Sequence, residues 1–543
     1  MGSFRAFGMV CVFLPVLAAS TGKAVSVPAG QGDDASCAAL AGQSVAPDTV
    51  IGSAQYLPEG GMVGTTKVIV PFCRVIGVAT PTADSHIGFE VWLPPAAAWN
   101  GKLQGEGSGG SAGSISAGAM LEALKAGFAS VSTDNGHITD TTQPNGGSEQ
   151  TWALGHPEKM LDFAFRAMHV STVAAKQVVR RFYGHAAVRS YFVGCSQGGH
   201  HALMEASRYP ADYDGIVAGA PAWHWANQMI NASWNAKAAL MDPSAITAQS
   251  TQILNRAIIA ACDKLDGVED GVISDARRCR FDPATLLCKP DSAAGTCLTQ
   301  TQIDAANRIY QGVHKSDGTA LFQGFARGSE LKWPQMWASK TPGGSSWHFW
   351  RYSVFQDLQF QNVNFDFDRD SDRALSTVRA GMKVADIYNV KPDLSAFRAR
   401  GGKLIIYHGW ADEQVTPFAS LDFYAHIKAR QGQSGTDDFL RLFMMPGIAH
   451  CSGGAGAGNI GGATPALSHD PGHDVVAALD AWVFHHQAPN ILIAAHLDEN
   501  KKVDRTRPLC PFPQEAHYKG TGDSNDAGNF VCAVPADERS LAN

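Results

Sequence analysis

Many hydrophobic residues of the 543-residue chain fall into short apolar runs with glycines at their ends. Runs of this length predict buried strands, and they lie at 68–70, 88–93, 128–132, 191–194, 215–218, 403–408 and 440–445. Between several of them, apolar side chains recur at three- and four-residue steps, most clearly over 157–183, which predicts helices. Strands that alternate with helices predict an α/β fold with a mainly parallel sheet.

This alternation stops between Trp223 and Pro392. The segment holds four cysteines, an acidic loop and seven of the twelve tryptophans, at 223, 225, 234, 333, 337, 347 and 350. We interpret 223–395 as an inserted lid domain. The catalytic domain would then comprise residues 23–222 and 396–543.

The N-terminus predicts a secretory signal peptide at 1–22, with Arg5 ahead of an apolar run over 7–19 and small residues after it. No other segment has the length of a membrane span. We therefore expect a secreted or periplasmic protein with no membrane partner. A formal net charge of -7 gives no broad basic field, so we expect no nucleic acid partner either.

Cysteine usage agrees with export. One of the 11 cysteines, Cys11, lies in the signal peptide, which leaves an even number in the mature chain, and this predicts five disulfides. No spacing is C-x-x-C, which argues against a zinc or thioredoxin-like site.

The sequence GCSQG at 194–198 matches the G-x-S-x-G nucleophile elbow and follows a predicted strand. Either Cys195 or Ser196 could be the attacking group. A serine hydrolase of this architecture also needs a carboxylate and then a histidine, in that chain order. Asp412 lies in a loop after the strand at 403–408, and His450 lies in a loop after the strand at 440–445.

Other histidines are weaker candidates for the base. His200 and His201 lie on the helix that leads away from the elbow, so we expect them on its surface or in the core. His408 precedes the acid loop on its strand and is expected to form structural hydrogen bonds. His137 and His169 are expected to be packed.

Cys451 directly follows His450, just as Cys195 directly precedes Ser196. A bridge between the two cysteines would pin the nucleophile loop to the base loop, which makes Cys195 structural and Ser196 the nucleophile. The oxyanion hole needs two backbone N–H groups. We expect Gln197 to supply one and the glycine-rich loop at 107–113 the other, from Gly109 or Gly110.

A second candidate site lies between Cys262 and Cys279. Asp263, Asp266 and Asp270 occupy a glycine-containing turn there. Carboxylates and backbone carbonyls suit Ca²⁺, so the turn predicts a structural calcium site, with a solvated acidic turn as the alternative.

The paired neighbours Cys195-Ser196 and His450-Cys451 around an aspartate loop resemble the tannase/feruloyl esterase family of secreted α/β-hydrolases. Further stretches agree over nearly the whole mature chain: WNGKLQGEGSGGSAG (99–113), STDNGH (132–137), YPADYDGIVAGAPA (209–222) and RPLCPFPQEAHYKGTGD (507–523). The resemblance implies a disulfide-rich α/β-hydrolase fold with a large inserted lid domain, and a triad of Ser196, Asp412 and His450.

The same resemblance implies specific disulfides and calcium ligands. The pairings would be Cys37–Cys73, Cys195–Cys451, Cys262–Cys279, Cys288–Cys297 and Cys510–Cys532. The calcium ligands would be the side chains of Asp263, Asp266 and Asp270 with the carbonyls of Val268 and Val272. We expect no organic cofactor.

We therefore expect a secreted carboxylic ester hydrolase that cleaves small esters of aromatic acids, free or linked to a polysaccharide, in the manner of a feruloyl esterase. Alternatives within the family are a tannase, acting on galloyl esters, and a hydrolase of terephthalate half-esters, which would need a cation such as Arg351 or Arg327. From other classes, the rivals are a non-catalytic calcium-binding module on a hydrolase scaffold and a redox protein that uses Cys195. The oligomeric state stays open.

Overall fold

The structure is a computed structural model that describes Gly2 and residues 34–139, 147–293, 295–338, 344–462 and 464–536. Apart from Gly2, the predicted signal peptide at 1–22 lies outside these ranges. No helix in the described ranges has both the length and the apolar character needed to cross a membrane.

A ten-stranded sheet forms the centre of the molecule, in the order β1-β2-β3-β4-β6-β5-β7-β8-β9-β10. Its strands are β1 (Ser44–Ala46), β2 (Thr49–Leu57), β3 (Phe72–Ala79), β4 (Ile87–Leu93), β5 (Lys102–Glu106), β6 (Ala129–Thr133), β7 (Arg189–Cys195), β8 (Gly215–Gly219), β9 (Lys403–Gly409) and β10 (Leu440–Met445). Strands β5 to β10 are parallel to one another, whereas β1 to β4 pair antiparallel. The α/β fold class is confirmed, but the sheet is mixed.

The antiparallel half departs from the sequence-based prediction for a physical reason. Parallel strands are covered on both faces and give continuous apolar runs, whereas an antiparallel strand can leave one face in water and then alternates in polarity. In β3, buried and half-buried residues alternate, and β2 is largely exposed. The apolar run at 68–70 is not a strand. A two-residue ribbon of Met62–Val63 with Thr66–Lys67 ends just before it.

Helices cover the sheet and make up much of the segment after β8. They are α1 (Asp34–Ala38), α2 (Ala117–Lys125), α3 (Pro157–Leu161), α4 (Ala167–Tyr183), α5 (Gln197–Arg208), α6 (Trp225–Met241), α7 (Ala248–Cys262), α8 (Gln300–Gln311), α9 (Trp333–Trp337), α10 (Gly344–His348), α11 (Asp370–Ser376), α12 (Val384–Tyr388), α13 (Ser395–Ala399), α14 (Pro417–Asp437) and α15 (Val475–His485). The helix predicted over 157–183 is present, but a π turn at Asp162–Arg166 separates α3 from α4. Gly184, with φ 82°, ends α4 in the left-handed conformation that glycine favours.

Two antiparallel hairpins follow α15. The first pairs β11 (Leu492–Leu497) with β12 (Val503–Leu509), and the second pairs β13 (Glu515–Tyr518) with β14 (Phe530–Ala533). Phe512, between the hairpins, donates its backbone N–H to the carbonyl of Leu442 at 2.7 Å. The C-terminal segment therefore covers part of the outer edge of β10.

The segment at 223–395 shares a hydrophobic core with the sheet. One buried cluster runs from Phe192 on β7 and Ile406 on β9 to Trp223, Trp350 and Tyr388. This packing joins helices α6 and α12 directly to the catalytic half of the sheet. The division of the chain into two catalytic parts and a lid domain stays a prediction.

The described part of the chain contains five disulfides: Cys37–Cys73, Cys195–Cys451, Cys262–Cys279, Cys288–Cys297 and Cys510–Cys532. Their Cα–Cα distances run from 5.0 to 5.9 Å, within the normal range for a disulfide. These are the pairings that the family resemblance implies.

A substitution at Gly77 can test the packing between β3 and β4. On β3, Gly77 pairs with Phe89 of β4, and an added Cβ would lie 2.3 Å from Cζ of the Phe89 ring. We expect Gly77→Ala to lower the free energy of unfolding by about 1–3 kcal/mol, because the buried ring would have to move. Urea unfolding measures this change.

Gly52→Ala is the matched control on β2, since its added Cβ would meet only the Ile76 carbonyl, at 3.7 Å. It should change stability by no more than about 0.5 kcal/mol. Equal stability of the two variants would contradict the packing of Phe89 over Gly77.

Candidate active site

The nucleophile turn lies between β7 and α5. Ser196 has φ 63° and ψ −120°, a backbone conformation that side-chain-bearing residues rarely adopt. An added Cβ on Gly194 would lie 2.5 Å from the Gly198 carbonyl oxygen, and one on Gly198 would lie 3.0 Å from the carbonyl oxygen of Ser108. Both glycines of the elbow are therefore required by close backbone contact, and the serine is held in a strained, projecting position.

Ser196, His450 and Asp412 form one hydrogen-bonded series. Nε2 of His450 lies 2.7 Å from Oγ of Ser196, and its Nδ1 lies 2.8 Å from Oδ2 of Asp412. With Asp412 ionised, Nδ1 carries the proton and donates to the carboxylate, which leaves Nε2 free to accept from the serine hydroxyl. The structure thus brings together the three residues that chain order selected.

The charges of this series stabilise one another. Burial alone would raise the pKa of Asp412, but the charge of His450 and hydrogen bonds from His408 and His450 hold that pKa well below its ordinary value. Burial alone would lower the pKa of His450, but attraction to Asp412 outweighs it and raises the pKa. Asp412 also accepts hydrogen bonds from the backbone N–H groups of Gln414 and Val415, at 2.8 and 2.9 Å. Asp412 is therefore held ionised, and its charge stabilises the imidazolium that forms when His450 takes a proton.

Two neighbours support the series. Nε2 of His408 lies 3.2 Å from Oδ2 of Asp412, and its Nδ1 lies 2.7 Å from Oγ of Ser420. This agrees with the structural role expected for His408. Oε2 of Glu413 accepts the backbone N–H of His450 at 3.3 Å, a contact that sequence reasoning missed. The available signal was the position of Glu413 next to Asp412.

The disulfide between Cys195 and Cys451 joins the end of β7 to the loop that carries His450. The chain between the two cysteines spans 256 residues, and for a loop of this length the chain-entropy model gives on the order of 5 kcal/mol. Cys451, with φ 62°, lies in a sharp turn directly after the base. The bond therefore restrains Ser196 and His450 relative to each other through their immediate chain neighbours.

The other candidate histidines belong to the core. Nε2 of His200 lies 2.8 Å from the carbonyl of Tyr388, and Nε2 of His201 lies 2.8 Å from that of Phe163. Both side chains are fully buried, and burial lowers the pKa of His200 to about 3 and that of His201 to about 4. His137 is buried too, with its ring stacked on Trp152. Among the described residues, none of the three rings forms a hydrogen bond with the Ser196 hydroxyl; His200 contacts Ser196 only through the backbone, where its N–H donates to the Ser196 carbonyl at 2.9 Å.

The glycine-rich loop packs directly against the nucleophile helix. An added Cβ on Gly107 would lie 2.5 Å from Cα of Gly198, in the first turn of α5. Within the described ranges, the backbone N–H groups of Gln197, Gly109 and Gly110 have no hydrogen-bond acceptor. Free N–H donors of this kind suit an oxyanion.

In the acidic loop, several carboxylate oxygens already accept hydrogen bonds from other groups of the protein. Asp263 accepts hydrogen bonds from the backbone N–H groups of Asp270, Gly271 and Val272, at distances of 3.0 to 3.2 Å. Oδ2 of Asp270 pairs with Arg507 of β12. Among the residues that the structure describes, no group of three or more His, Cys, Asp or Glu side chains is placed to hold a metal ion.

Two aspartates nevertheless retain the chemistry of a cation site. Oδ1 of Asp270 is buried and has no hydrogen-bond partner among the described residues. Burial raises the pKa of Asp266, and repulsion from Asp270 adds to that increase. A hard cation would satisfy both features, because it would neutralise the two carboxylates and occupy the unpartnered oxygen. The fit thus rests on Asp266 and Asp270 rather than on Asp263.

The two arginines considered for a free carboxylate differ in their surroundings. Arg327 donates from Nε to the carbonyl of Phe281 at 2.9 Å. The guanidinium of Arg351 lies over the rings of Trp347 and Tyr352, at 4.7 and 5.4 Å, and its Nε is buried without a hydrogen-bond partner in the described ranges. Arg351 is therefore the better candidate of the two for an added anion.

A hydrogen-bond relay connects the Arg351 turn to the glycine-rich loop. Ser353 donates to Oε1 of Gln150 at 2.7 Å, and Nε2 of Gln150 donates to Oγ of Ser111 at 2.9 Å. The turn at Phe349–Val354, which carries Ser353, is thus connected through the Gln150 side chain to Ser111 of the glycine-rich loop.

Comparisons with known proteins show that this chain is similar to one family of esterases. A sequence profile described as "Tannase and feruloyl esterase" matches residues 73–533. An uncharacterized esterase of Xanthomonas campestris is 36% identical over 92% of this chain and 91% of its own length. A mono(2-hydroxyethyl) terephthalate hydrolase of Piscinibacter sakaiensis is 31% identical, with 92% of each chain covered. The crystal structure of feruloyl esterase B from Aspergillus oryzae superposes with a TM-score of 0.84 at 28% identity, covering 92% of this chain and 100% of that one.

The disulfide beside the nucleophile can be tested by the double change Cys195→Ala/Cys451→Ala. Ser196, Asp412 and His450 stay in place, but their loops then depend on packing alone. We expect ester hydrolysis per folded molecule to fall at least about tenfold, because small losses of alignment are costly in rate. Hydrolysis rate and folded fraction by circular dichroism are measured side by side.

The matched control is Cys288→Ala/Cys297→Ala, which removes a disulfide between a largely exposed pair of cysteines that flank neither Ser196 nor His450 in the chain. It should leave turnover close to the parent value. A fully active Cys195→Ala/Cys451→Ala protein, or recovery of an unlinked Cys195 peptide from the native protein, would overturn the proposed restraint.

Proposed function

The chain belongs to the tannase and feruloyl esterase family of carboxylic ester hydrolases, and from this premise we propose that it is a secreted serine esterase that cleaves esters of aromatic acids. The observation that carries the proposal is the hydrogen-bonded series of Ser196, His450 and Asp412 at the carboxyl ends of parallel strands. A binding module would have no use for this arrangement. A redox role for Cys195 is disfavoured because its sulfur is bonded to Cys451.

The reaction follows from the geometry. Oγ of Ser196 attacks the ester carbonyl carbon while Nε2 of His450 takes its proton, and ionised Asp412 stabilises the resulting imidazolium. The tetrahedral intermediate then expels the alcohol, which takes the proton from His450 and leaves an acyl group on Ser196. A water molecule attacks this acyl-enzyme, again giving its proton to His450. Release of the carboxylic acid returns the proton to Oγ of Ser196.

The oxyanion of both intermediates would be stabilised by backbone donors. We assign one donor to the N–H of Gln197 and the second to Gly109 or Gly110. Support comes from their unused N–H groups and from the close contact between the glycine-rich loop and α5. Removing one such donor in other enzymes costs about two orders of magnitude in kcat or more.

An aromatic acyl group suits the segment after β8, although not all of its tryptophans can contact it. Trp223, Trp333 and Trp350 are almost completely buried, so they belong to the core. Trp347 is only partly buried and stands beside Arg351. We therefore place a flat apolar wall at Trp347 rather than across the whole segment. The names of several relatives, probable feruloyl esterases of Aspergillus species at about 30% identity, support a phenolic acid; a galloyl ester is the alternative.

A terephthalate half-ester is the second candidate substrate. The Piscinibacter sakaiensis relative carries that activity in its name, and Arg351 has a buried donor without a partner in the described ranges. A free carboxylate on the acyl group would pair with such a guanidinium. Comparison of a half-ester with its fully esterified analogue therefore separates this substrate class from the phenolic esters.

Export is supported by two independent features. The N-terminal 22 residues have the composition of a signal peptide, and five disulfides are compatible with an oxidising compartment rather than the cytosol. We propose the periplasm or the external medium as the place of action.

The nucleophile is tested by Ser196→Ala. We expect the variant to fold normally and kcat to fall by roughly 10⁴ or more, as in other triads. Hydrolysis of methyl ferulate, methyl gallate, a terephthalate half-ester and its diester is measured for parent and variant. Preference for methyl ferulate supports the leading proposal, whereas preference for the half-ester over the diester supports the second. Retention of more than a few per cent of activity in Ser196→Ala would end the assignment.

We also propose a structural Ca²⁺ at the acidic loop, held by Asp266 and Asp270 with Asp263 and the carbonyls of Val268 and Val272 as further expected ligands. A chelator should lower the melting temperature, and Asp266→Ala should reproduce that loss without changing turnover per folded molecule. Metal analysis before and after chelation shows whether calcium was present.

Glu269→Gln is the matched control for the calcium prediction, because Glu269 is an exposed acid of the same loop that pairs with Lys264 at the surface. It should leave the melting temperature unchanged. An unaltered melting curve after calcium has demonstrably been removed would count against the site.

A further inference from the structure

Glu413 is a buried carboxylate beside the triad that the proposed mechanism leaves unused. Its side chain is 3% exposed. Oε2 accepts the backbone N–H of His450 at 3.3 Å, so the residue that follows the acid contacts the main chain of the base. The acid loop therefore holds His450 in two places, through Asp412 at the imidazole and through Glu413 at the backbone.

Glu413 also lines a cavity. The cavity has a volume of about 140 Å³ and lies between the acid and base loops on one side and three segments on the other: 327–332, 271–273 of the acidic loop, and one face of α7. Trp410, Ala449, Arg327 and Lys332 line it together with Glu413. A cavity of this size with polar groups in its wall can hold ordered water, which allows a buried carboxylate to stay solvated.

The charge of Glu413 acts on the base. Burial raises the pKa of Glu413, and repulsion from Asp412 adds to that increase, while attraction to His450 opposes it. Burial lowers the pKa of His450, Asp412 raises it most, and Glu413 raises it further. Among the described residues, the other titratable side chains near the pair are His408, which contacts Asp412, and Arg327 and Lys332, which line the same cavity.

We propose that Glu413 is a positioning residue for His450, whose carboxylate fixes the backbone of the base loop and places a second negative charge near the imidazole. The inference rests on the proposed role of His450 as general base. A backbone acceptor alone could be supplied by a neutral amide. The charge, by contrast, affects how readily His450 holds a proton, and this separates the proposed role from simple structural support.

Glu413→Gln isolates the charge, because glutamine keeps an oxygen that can accept the His450 N–H. His450 must be neutral to act as the base, so kcat/KM falls as the pH drops through its pKa. Removing the negative charge lowers that pKa, and the acid side of the pH profile should move to lower pH by about half a unit to one unit. Near the pH optimum, kcat should stay within about threefold of the parent value.

Glu413→Ala removes both the charge and the acceptor. We expect kcat at the optimum to fall about tenfold with little change in KM, because the base loop loses alignment rather than substrate contacts. Glu122→Gln is the matched control, since Glu122 is an exposed acid that pairs with Lys125 on α2. Its pH profile and kcat should match those of the parent.

The outcomes are distinguishable. An unmoved acid limb in Glu413→Gln would overturn the inference, as would parent-like kcat in Glu413→Ala. Should Glu413→Ala fail to fold, the pH profile of Glu413→Gln decides alone. Activity that survives in Ser196→Ala would refute the proposed mechanism itself, whereas an inactive Ser196→Ala with an unmoved Glu413→Gln profile would refute only the role of Glu413.

Discussion

The covalent bond between Cys195 and Cys451 joins two loops that the sheet itself keeps apart. Strands β7 and β10 are separated by β8 and β9; three strand spacings amount to roughly 14 Å. The loop after β10 must therefore cross the end of β9 to bring His450 to Ser196. An added Cβ on Gly409 would lie 2.2 Å from the carbonyl oxygen of Ile448, which shows how closely the base loop lies over that strand end.

Because the base loop crosses here, it covers the acid loop and buries Asp412. The backbone N–H of Ala411 donates to the Ile448 carbonyl at 2.9 Å, so the acid loop lies under the base loop and is removed from solvent. An isolated buried carboxylate would be strongly destabilising. Asp412 is compensated by two backbone N–H groups and two histidines, and this same compensation orients His450 toward Ser196. Burial, charge pairing and alignment of the base are thus consequences of one loop arrangement.

Sequence reasoning located the triad because its cues are local. A strained serine turn needs flanking glycines, and the acid and base follow strands whose continuous apolar runs are easily read. The antiparallel pairing of β1 to β4 was missed because β2 is largely exposed and β3 alternates between buried and half-buried residues, so neither gives a continuous buried run. The π turn at Asp162–Arg166 and the contact from Glu413 to His450 could not be predicted, since each depends on how distant segments pack. The hydrogen bonds that Asp263 accepts from backbone N–H groups in the acidic loop likewise depend on how that loop folds.

The central claim, that Ser196 is a nucleophile activated by His450, is tested most directly by covalent labelling. The native protein is treated with a fluorophosphonate ester, which reacts with an activated serine hydroxyl, and the modified peptide is identified by mass spectrometry. We expect a single adduct on Ser196, formed together with the loss of esterase activity, and no adduct in a His450→Ala protein. An adduct at another residue, or loss of activity with Ser196 unmodified, would contradict the assignment.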